Sequence, residues 1–261
     1  MKTFRGQSEE GMGLAAVAYA KAMRRQQCMV VTTSIGPGAL NVVTAAGTAL
    51  ANRLPMLILV GDTFQSRNPD PVLQQVEHFG EPSTTVNDAF RPVVRFWDRI
   101  TNPSQILTAL PQALMTMLDP ASCGPTFFAL PQDVQATGFD YPEEFFNETI
   151  HEIPRPRPDL SELNKCVALI NNSKRPILVA GGGVHYSLAE KELAAFAKEQ
   201  QIPVVETMAG KSSLPWSDPL LVGPLGVTGS DPVNELVSES DLIIAIGTRL
   251  QDFTTGSWTL F

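Results

Sequence analysis

Residues 28–41 read CMVVTTSIGPGALN, and this stretch decides the fold class that the sequence predicts. The part from Cys28 to Thr33 is short, apolar and rich in β-branched residues, which is typical of a strand buried in a parallel sheet. A Gly-Pro-Gly turn follows, and after it the small residues from Ala39 to Ala51 favour a helix. A strand, a turn and a helix in this order are the repeating unit of an α/β protein.

The same alternation continues on both sides of this stretch. Apolar residues at three- and four-residue spacing predict a helix that includes Met12 and Met23. Another helix is predicted from Ser104 to Leu118, with Ser104 as its N-cap. Further strands are predicted at residues 56–60, 92–97 and 125–130. Together these elements predict a mainly parallel sheet that is covered on both faces.

A proline-rich segment, residues 151–160, interrupts this pattern. It contains the run IPRPRP at 153–158, and each proline fixes its own φ and restricts the residue before it. We therefore expect a stiff, extended linker between two domains.

A second α/β series follows the linker. Helices are predicted at residues 160–171 and 189–200, and strands at 176–180, 202–205 and 241–246. Three clear strands are few for a doubly wound domain. The sequence thus predicts an α/β protein with two doubly wound, mainly parallel-sheet domains, residues 1–150 and 161–261, both of them incomplete.

The composition excludes several classes of partner. With a net charge of −8, the chain has no general attraction for nucleic acids or anionic membranes, so we expect neither as a partner. The longest apolar stretch, residues 40–60, is interrupted by polar residues and a proline and is not predicted to span a membrane. No signal peptide opens the sequence, and we expect a cytoplasmic protein.

Cysteine and histidine spacing gives no sign of a metal site or a disulfide framework. The cysteines form no CxxC pair, and no two histidines stand at metal-ligand spacing. The residues concerned are Cys28, Cys123, Cys166, His78, His151 and His185. We therefore predict no metal ligands within this chain.

Three motifs leave a choice between a structural and a functional interpretation. The acids in Ser8-Glu9-Glu10-Gly11 are explained by the preference for negative charge in a first helical turn, and a functional role is the less favoured alternative. The glycine-rich turn at 36–38 suits tight geometry and close approach to a ligand equally well. The run Gly181 to Gly183 lacks the full GxGxxG spacing, so a structural turn is favoured there.

Taken together, these motifs resemble a known family. The SEEG motif at 8–11, residues 33–41 and residues 53–61 occur in the order and at the spacing of the pyrimidine-binding domain of thiamine-diphosphate enzymes such as acetolactate synthase. Residues 180–183, 206–211 and 246–249 are similar to landmarks of the central, Rossmann-like domain of that family. The resemblance covers nearly the whole chain.

The resemblance implies a role for particular residues. In this family a glutamate two residues before a glycine hydrogen-bonds the cofactor's pyrimidine ring and helps the thiazolium C2 to lose its proton, and that glutamate corresponds to Glu9. The family loop that lies near the pyrimidine corresponds to Gly36, Pro37, Gly38 and Asn41. Gln75 corresponds to a family glutamine on the substrate side.

Further segments resemble one branch of the family. Residues 70–77, 87–93 with 96–101, and 130–135 are similar to the branch that hydrolyses a C–C bond of a cyclic 1,2-diketone in myo-inositol catabolism. Alternatives are an acetolactate synthase-like synthase, a 2-oxo-acid decarboxylase, or an inactive remnant that binds a partner. The family pattern also implies a homo-oligomer formed through the pyrimidine-binding domain.

Two parts of the family pattern have no match in the sequence. No GDG motif occurs, so the ligands of Mg²⁺ and of the diphosphate are expected in a missing C-terminal domain. The first βα unit, which should precede Glu9, is also absent. We therefore expect a fragment that is truncated at both ends and inactive by itself.

Overall fold

Parallel strands build both sheets of the protein, as the alternation of apolar runs and helices predicts. The computed structural model describes residues 2–69, 71–74, 76 and 78–261. The chain divides into two units, Met1–Arg155 and Pro156–Phe261, at a point inside the proline-rich segment. Within the described residues each unit contains one four-stranded sheet, and every recorded strand pair is parallel. The predicted α/β fold class is confirmed.

The first unit has its two long strands in the middle of the sheet, whose order is β1-β2-β4-β3. Ile58 on one central strand and Phe127 and Phe128 on the other are fully buried, so the core lies around these strands. The strands are β1 Val30–Thr33, β2 Met56–Asp62, β3 Phe96–Arg99 and β4 Pro125–Pro131. The helices are α1 Glu9–Ala22, α2 Pro37–Leu40, α3 Val43–Asn52, α4 Ile106–Leu118 and α5 Gln132–Gln135, with 3₁₀ turns at Val86–Val93, Pro103–Gln105 and Glu143–Phe146.

Strand β1 differs from the prediction of a buried strand from Cys28. It begins at Val30, and of its four residues only Val31 is buried. The reason is its position, because β1 is an edge strand that pairs with β2 alone among the described strands. The apolar, β-branched run therefore identified the strand correctly but could not locate it within the sheet.

Two helix predictions also need correction. The helix predicted from Ala39 to Ala51 is divided into α2 and α3, with Asn41 lying in the turn between them. The cap predicted at Ser104 is supplied by Asn102, whose Oδ1 accepts a hydrogen bond from the Ser104 N–H at 3.0 Å. In return Gln105 Oε1 accepts from the Asn102 N–H, also at 3.0 Å, which completes a capping box two residues earlier than predicted.

The second unit contains a strand that the sequence patterns missed. Its sheet has the order β7-β6-β5-β8, and β7, Leu221–Pro224, is half exposed and contains both Gly223 and Pro224. Glycine and proline are depleted in strands, so the segment carries no strand signal. The other strands are β5 Pro176–Ala180, β6 Val204–Glu206 and β8 Leu242–Ile246; the helices are α6 Leu160–Asn172, α7 Gly182–Tyr186, α8 Glu190–Gln200, α9 Asp231–Ser238 and α10 Asp252–Thr255, and a 3₁₀ turn spans Met208–Gly210.

Asp241 lies just before β8, and its carboxylate accepts hydrogen bonds from the segment between α6 and β5. Hydrogen bonds from the Ser173 hydroxyl and from the Lys174 and Arg175 N–H groups lower the pKa of Asp241 to about 2, from an ordinary value of 3.8. A carboxyl whose pKa is depressed by folding stabilises the folded state above its unfolded-state pKa. That contribution is lost as the pH falls from 3.8 towards 2.

We therefore expect Asp241→Asn to melt below the unsubstituted protein at pH 7, with the difference closing as the pH is lowered to 2. Melting curves across this pH range measure the effect. Asp140→Asn removes an exposed carboxylate elsewhere and serves as the control for lost charge. A temperature difference that stays constant down to pH 2 would contradict the role given to the carboxylate.

Candidate functional site

Helix α1 begins with two acidic residues whose environments differ. The Ser8 hydroxyl caps the helix by accepting a hydrogen bond from the Gly11 N–H at 3.2 Å. This cap places Glu9 and Glu10 in the first turn, where negative charge is favoured by the helix dipole. Glu9 is half-buried and Glu10 is exposed, so the two acids point into different surroundings.

The turn after β1 needs a glycine at its first position. Gly36 has φ 68° and ψ −127°, a backbone conformation that residues with a side chain rarely adopt. Pro37 follows as the first residue of α2, where its missing N–H costs no hydrogen bond. The turn carries the chain towards the start of α1.

The predicted residues Glu9, Gly38 and Asn41 come together at this point. The Asn41 Nδ2 donates a hydrogen bond to Glu9 Oε2 at 3.1 Å, across 32 residues of sequence. On the other side of the carboxylate, a Cβ added to Gly38 would stand 3.3 Å from Glu9 Oε1 and 2.6 Å from Ser34 Oγ. Bare backbone therefore lies against the carboxylate where any side chain would intrude.

The electrostatics of Glu9 keep it ionised. The hydrogen bond from Asn41, followed by one from its own backbone N–H, holds the pKa of Glu9 below its usual value. An ionised carboxylate that is fixed on one side and partly exposed on the other accepts a hydrogen bond from an incoming N–H group. The arrangement thus offers a fixed hydrogen-bond acceptor beside the glycine turn for an N–H group of a ligand.

We expect Gly38→Ala to weaken cofactor binding about tenfold while the protein stays folded, because one lost charge-assisted hydrogen bond has this order of effect. The added methyl group would displace the Ser34 hydroxyl and crowd Glu9. Gly138→Ala is the matched control, since a Cβ there meets nothing within 4 Å. Calorimetric titration of thiamine diphosphate into both variants of the whole protein measures the effect. Equal affinities of the two variants for the cofactor would contradict the close approach of the Gly38 backbone to Glu9.

A cavity of about 170 Å³ adjoins the same turn. We call it the Asp62 pocket; its described lining comprises Ile35, Gly36, Asp62, Thr63, Arg67, Pro69, Val76, His78, Phe79, Pro82, Thr84, Thr85, Val86 and Asn87. It lies at the carboxyl ends of β1 and β2, the edge of a parallel sheet where ligands bind. The cavity shares Ile35 and Gly36 with the turn that leads to Gly38.

A partly buried ion-pair network, centred on the buried Asp62, fixes one side of the Asp62 pocket. Arg99 Nε lies 2.7 Å from Asp62 Oδ2, and Arg99 Nη2 lies 2.8 Å from Asp88 Oδ2 and 3.0 Å from the Thr85 hydroxyl. Burial opposes the charge of Asp88, but its hydrogen bonds with Thr85, Arg91 and Arg99 hold its pKa below the usual value. The network ties β2, β3 and the 3₁₀ turn at Val86–Val93 into one rigid wall.

Sequence patterns did not identify this network as a site. The available signal was weak: Asp62 and Arg99 each end a strand, and the carboxyl ends of parallel strands gather at one edge. Gln75, which the family resemblance places near the substrate, lies outside the described residues.

Two family models match most of the chain. The N-terminal TPP-binding domain of thiamine pyrophosphate enzymes matches residues 1–80, and the central domain of the same enzymes matches residues 163–261. The chain belongs to the thiamine pyrophosphate enzyme family. Thiamine pyrophosphate is another name for thiamine diphosphate, so the resemblance seen in the sequence motifs is confirmed.

Several curated relatives align with this chain over its full 261 residues. Proteins of Geobacillus thermodenitrificans and Shouchella clausii are 47% identical, and the chain covers 41% of each. A protein of Clostridium tetani is also 47% identical, with 40% covered. All three are named 3D-(3,5/4)-trihydroxycyclohexane-1,2-dione hydrolase. The chain therefore spans about two fifths of the length of these relatives.

The second glycine-rich run allows two backbone segments to pack closely. The strand order reverses between β5 and β8, the usual place for a ligand crevice in such sheets. Here the Gly183 N–H donates to Gly247 O at 2.9 Å, and a Cβ on Gly183 would stand 2.5 Å from the Gly247 Cα. This close contact requires glycine and agrees with the structural interpretation of Gly181 to Gly183.

The described residues of the chain offer no cluster of three or more His, Cys, Asp or Glu side chains that could hold a metal ion. In the same part of the chain, no helix has the length and apolar character needed to cross a membrane.

Proposed function

We propose that this chain is the cofactor-activating part of a thiamine-diphosphate-dependent C–C hydrolase. The proposed reaction opens the ring of 3D-trihydroxycyclohexane-1,2-dione to 5-deoxy-glucuronate. The observation that carries the proposal is the Glu9 carboxylate, held by Asn41 and bordered by the bare backbone of Gly38. It lies in a chain 47% identical, over its whole length, to proteins named for hydrolysis of this dione.

We propose a role for each residue. Glu9 accepts a hydrogen bond from the pyrimidine ring of the cofactor, and Asn41 holds the carboxylate in place for it. Gly36 and Pro37 shape the turn, and the missing side chain of Gly38 leaves room for the Glu9 carboxylate and the Ser34 hydroxyl. When bound, the cofactor supplies a nucleophilic carbon for attack on a substrate carbonyl. We propose Gln75 as a residue on the substrate side of this site.

We further propose that Mg²⁺ accompanies the cofactor and that ligands in another part of the whole protein bind the metal and the diphosphate. A homo-oligomer formed through the pyrimidine-binding domain, residues 1–150, is part of the proposal, with a linker at 151–160 and the central domain at 161–261. Leu14 and Leu40, on the two helices that carry Glu9 and Gly38, are 38% and 40% exposed and offer apolar surface for such contacts. The proposed location is the cytoplasm.

Product analysis tests the proposed reaction. The whole protein that contains this chain should convert the trihydroxylated cyclic dione to a single open-chain acid when supplied with thiamine diphosphate and Mg²⁺. Acetolactate or an aldehyde formed from pyruvate, with no turnover of the dione, would instead identify a synthase or a decarboxylase. Absence of turnover on all three reactions would favour an inactive partner-binding remnant.

A further inference from the structure

The loop that follows β2 lies at the carboxyl edge of the first sheet. We call residues 63–68 the β2 loop, which begins directly after Asp62. Two hydrogen bonds shape it locally: the Thr63 N–H donates to Asp62 Oδ1 at 2.8 Å, and the Arg67 N–H donates to Phe64 O at 3.1 Å. Each of these bonds joins residues that are close in sequence, so the two bonds bend the loop but do not attach it to the rest of the fold.

The Asp133 carboxylate attaches the β2 loop to a neighbouring strand. Its Oδ1 accepts a hydrogen bond from the Gln65 N–H at 2.8 Å, and its Oδ2 accepts one from the Ser66 N–H at 2.9 Å, across 68 and 67 residues of sequence. Burial opposes the charge of Asp133, but the hydrogen bonds from Ser66 and Gln65 hold its pKa below the usual value, so the carboxylate is ionised. Hydrogen bonds to an ionised acceptor are about twice as strong as neutral ones.

Asp133 is itself held in a fixed position. It lies in α5, which begins directly after the buried Pro131 at the end of β4. The Gln135 Nε2 donates to Leu130 O at 2.6 Å, which bonds this short helix to the strand end. The Thr137 hydroxyl donates to Asp133 O at 2.9 Å. Since β2 and β4 are neighbours in the sheet, the carboxylate ties the loop of one central strand to the end of the other.

The β2 loop contributes Thr63 and Arg67 to the wall of the Asp62 pocket. Arg67 has φ 58°, a left-handed conformation that an arginine keeps only where the surrounding structure holds it. The two residues immediately before it are those whose N–H groups Asp133 accepts. Asp133 therefore fixes the backbone that carries Arg67 to the wall.

We propose that Asp133 is a positioning residue that holds the β2 loop in place where the loop borders the substrate. It contacts neither substrate nor cofactor and acts through the N–H groups of Gln65 and Ser66. This inference rests on the proposed function, because that function requires a substrate beside the carboxyl edge of the first sheet. It also gives a role to the motif at 130–135, which the family resemblance singles out without assigning one.

Hydrogen exchange in the whole protein tests the attachment of the loop. Asp133→Asn keeps the size of the side chain but replaces one acceptor oxygen by an NH2 group, which cannot accept from the N–H that faces it. A peptide that contains Gln65 and Ser66 should therefore exchange about tenfold faster, the effect of one lost charge-assisted hydrogen bond. Asp133→Glu keeps both acceptor oxygens and should restore most of the protection. Asp140→Asn removes an exposed carboxylate elsewhere in the first unit and should leave the exchange of this peptide unchanged.

Steady-state kinetics of the same variants tests the positioning role. Asp133→Asn should raise KM for the dione about tenfold and leave kcat within about threefold, because substrate binding rather than the chemical step depends on the loop. The affinity for thiamine diphosphate should not change. Asp133→Glu should return KM to within about threefold of the unsubstituted protein, a rescue that a general loss of stability would not produce.

The outcomes separate this inference from the proposed reaction. Equal exchange in Asp133→Asn and the unsubstituted protein would overturn the inference, and so would faster exchange with an unchanged KM. Turnover of pyruvate instead of the dione would overturn the proposed reaction alone, and the KM for pyruvate would then decide the role of Asp133 by the same criterion. Absence of all turnover would overturn both the proposed reaction and the positioning role.

Discussion

Glu9→Gln in the whole protein should lower kcat by about two to four orders of magnitude, the range over which a positioned acid–base group contributes to catalysis. The substitution keeps the size of the side chain and its contact with Asn41, but it removes the charge that we propose accepts a hydrogen bond from the cofactor ring. The fold should survive, because one charge in a first helical turn makes only a small contribution to stability. Steady-state turnover and thermal melting measure the two effects separately.

Glu10→Gln is the matched control for this experiment. It removes the same charge from the same helical turn at an exposed position, so turnover should stay close to normal. Near-normal turnover in Glu9→Gln, or a loss in Glu10→Gln of equal size, would contradict the role proposed for Glu9.

Arg99→Leu should destabilise the first unit by about 3–5 kcal/mol, the cost of breaking a buried ion pair by removal of one partner. Asp62 and Asp88 would be left without their shared cation, and the side chain of Asp62 is only 3% exposed. Amide hydrogen exchange in β2 and β4 is the suitable measurement, because it reports on this unit alone.

Arg91→Leu provides the comparison for Arg99→Leu. Arg91 pairs with the same Asp88 at 2.7 Å, but its side chain is 55% exposed, and its guanidinium also lies over the Trp97 ring at 3.6 Å. Exposed ion pairs and cation–π contacts are each worth about 1 kcal/mol or less, so the loss should be clearly smaller. Equal destabilisation by the two substitutions would show that burial of the pair is not the cause.

Local patterns in the sequence predicted most of the elements, and the family resemblance supplied the candidate Glu9. Apolar runs located β2, β4 and β5, because a strand buried on both faces needs apolar side chains throughout. Motif order predicted the family, and the place of the acid two residues before Gly11 selected Glu9. The predictions were wrong about the burial of the edge strand β1, missed β7 and misplaced the cap that Asn102 supplies. In these places the structure depends on neighbours in space.

Tertiary structure alone decided which side chains meet. The parallel register places Asp62 opposite Pro131 and Arg99 opposite Ala129, so β4 brings together two residues that lie 37 positions apart in sequence. The sequence by itself determined the parallel-sheet architecture, the family and the candidate Glu9, because these depend on periodicity and on motifs read along the chain. Strand register and turn geometry, which local patterns do not record, decided the remaining features. They form the hydrogen bond from Asn41 to Glu9, the Asp62 pocket and the backbone contact between Gly183 and Gly247.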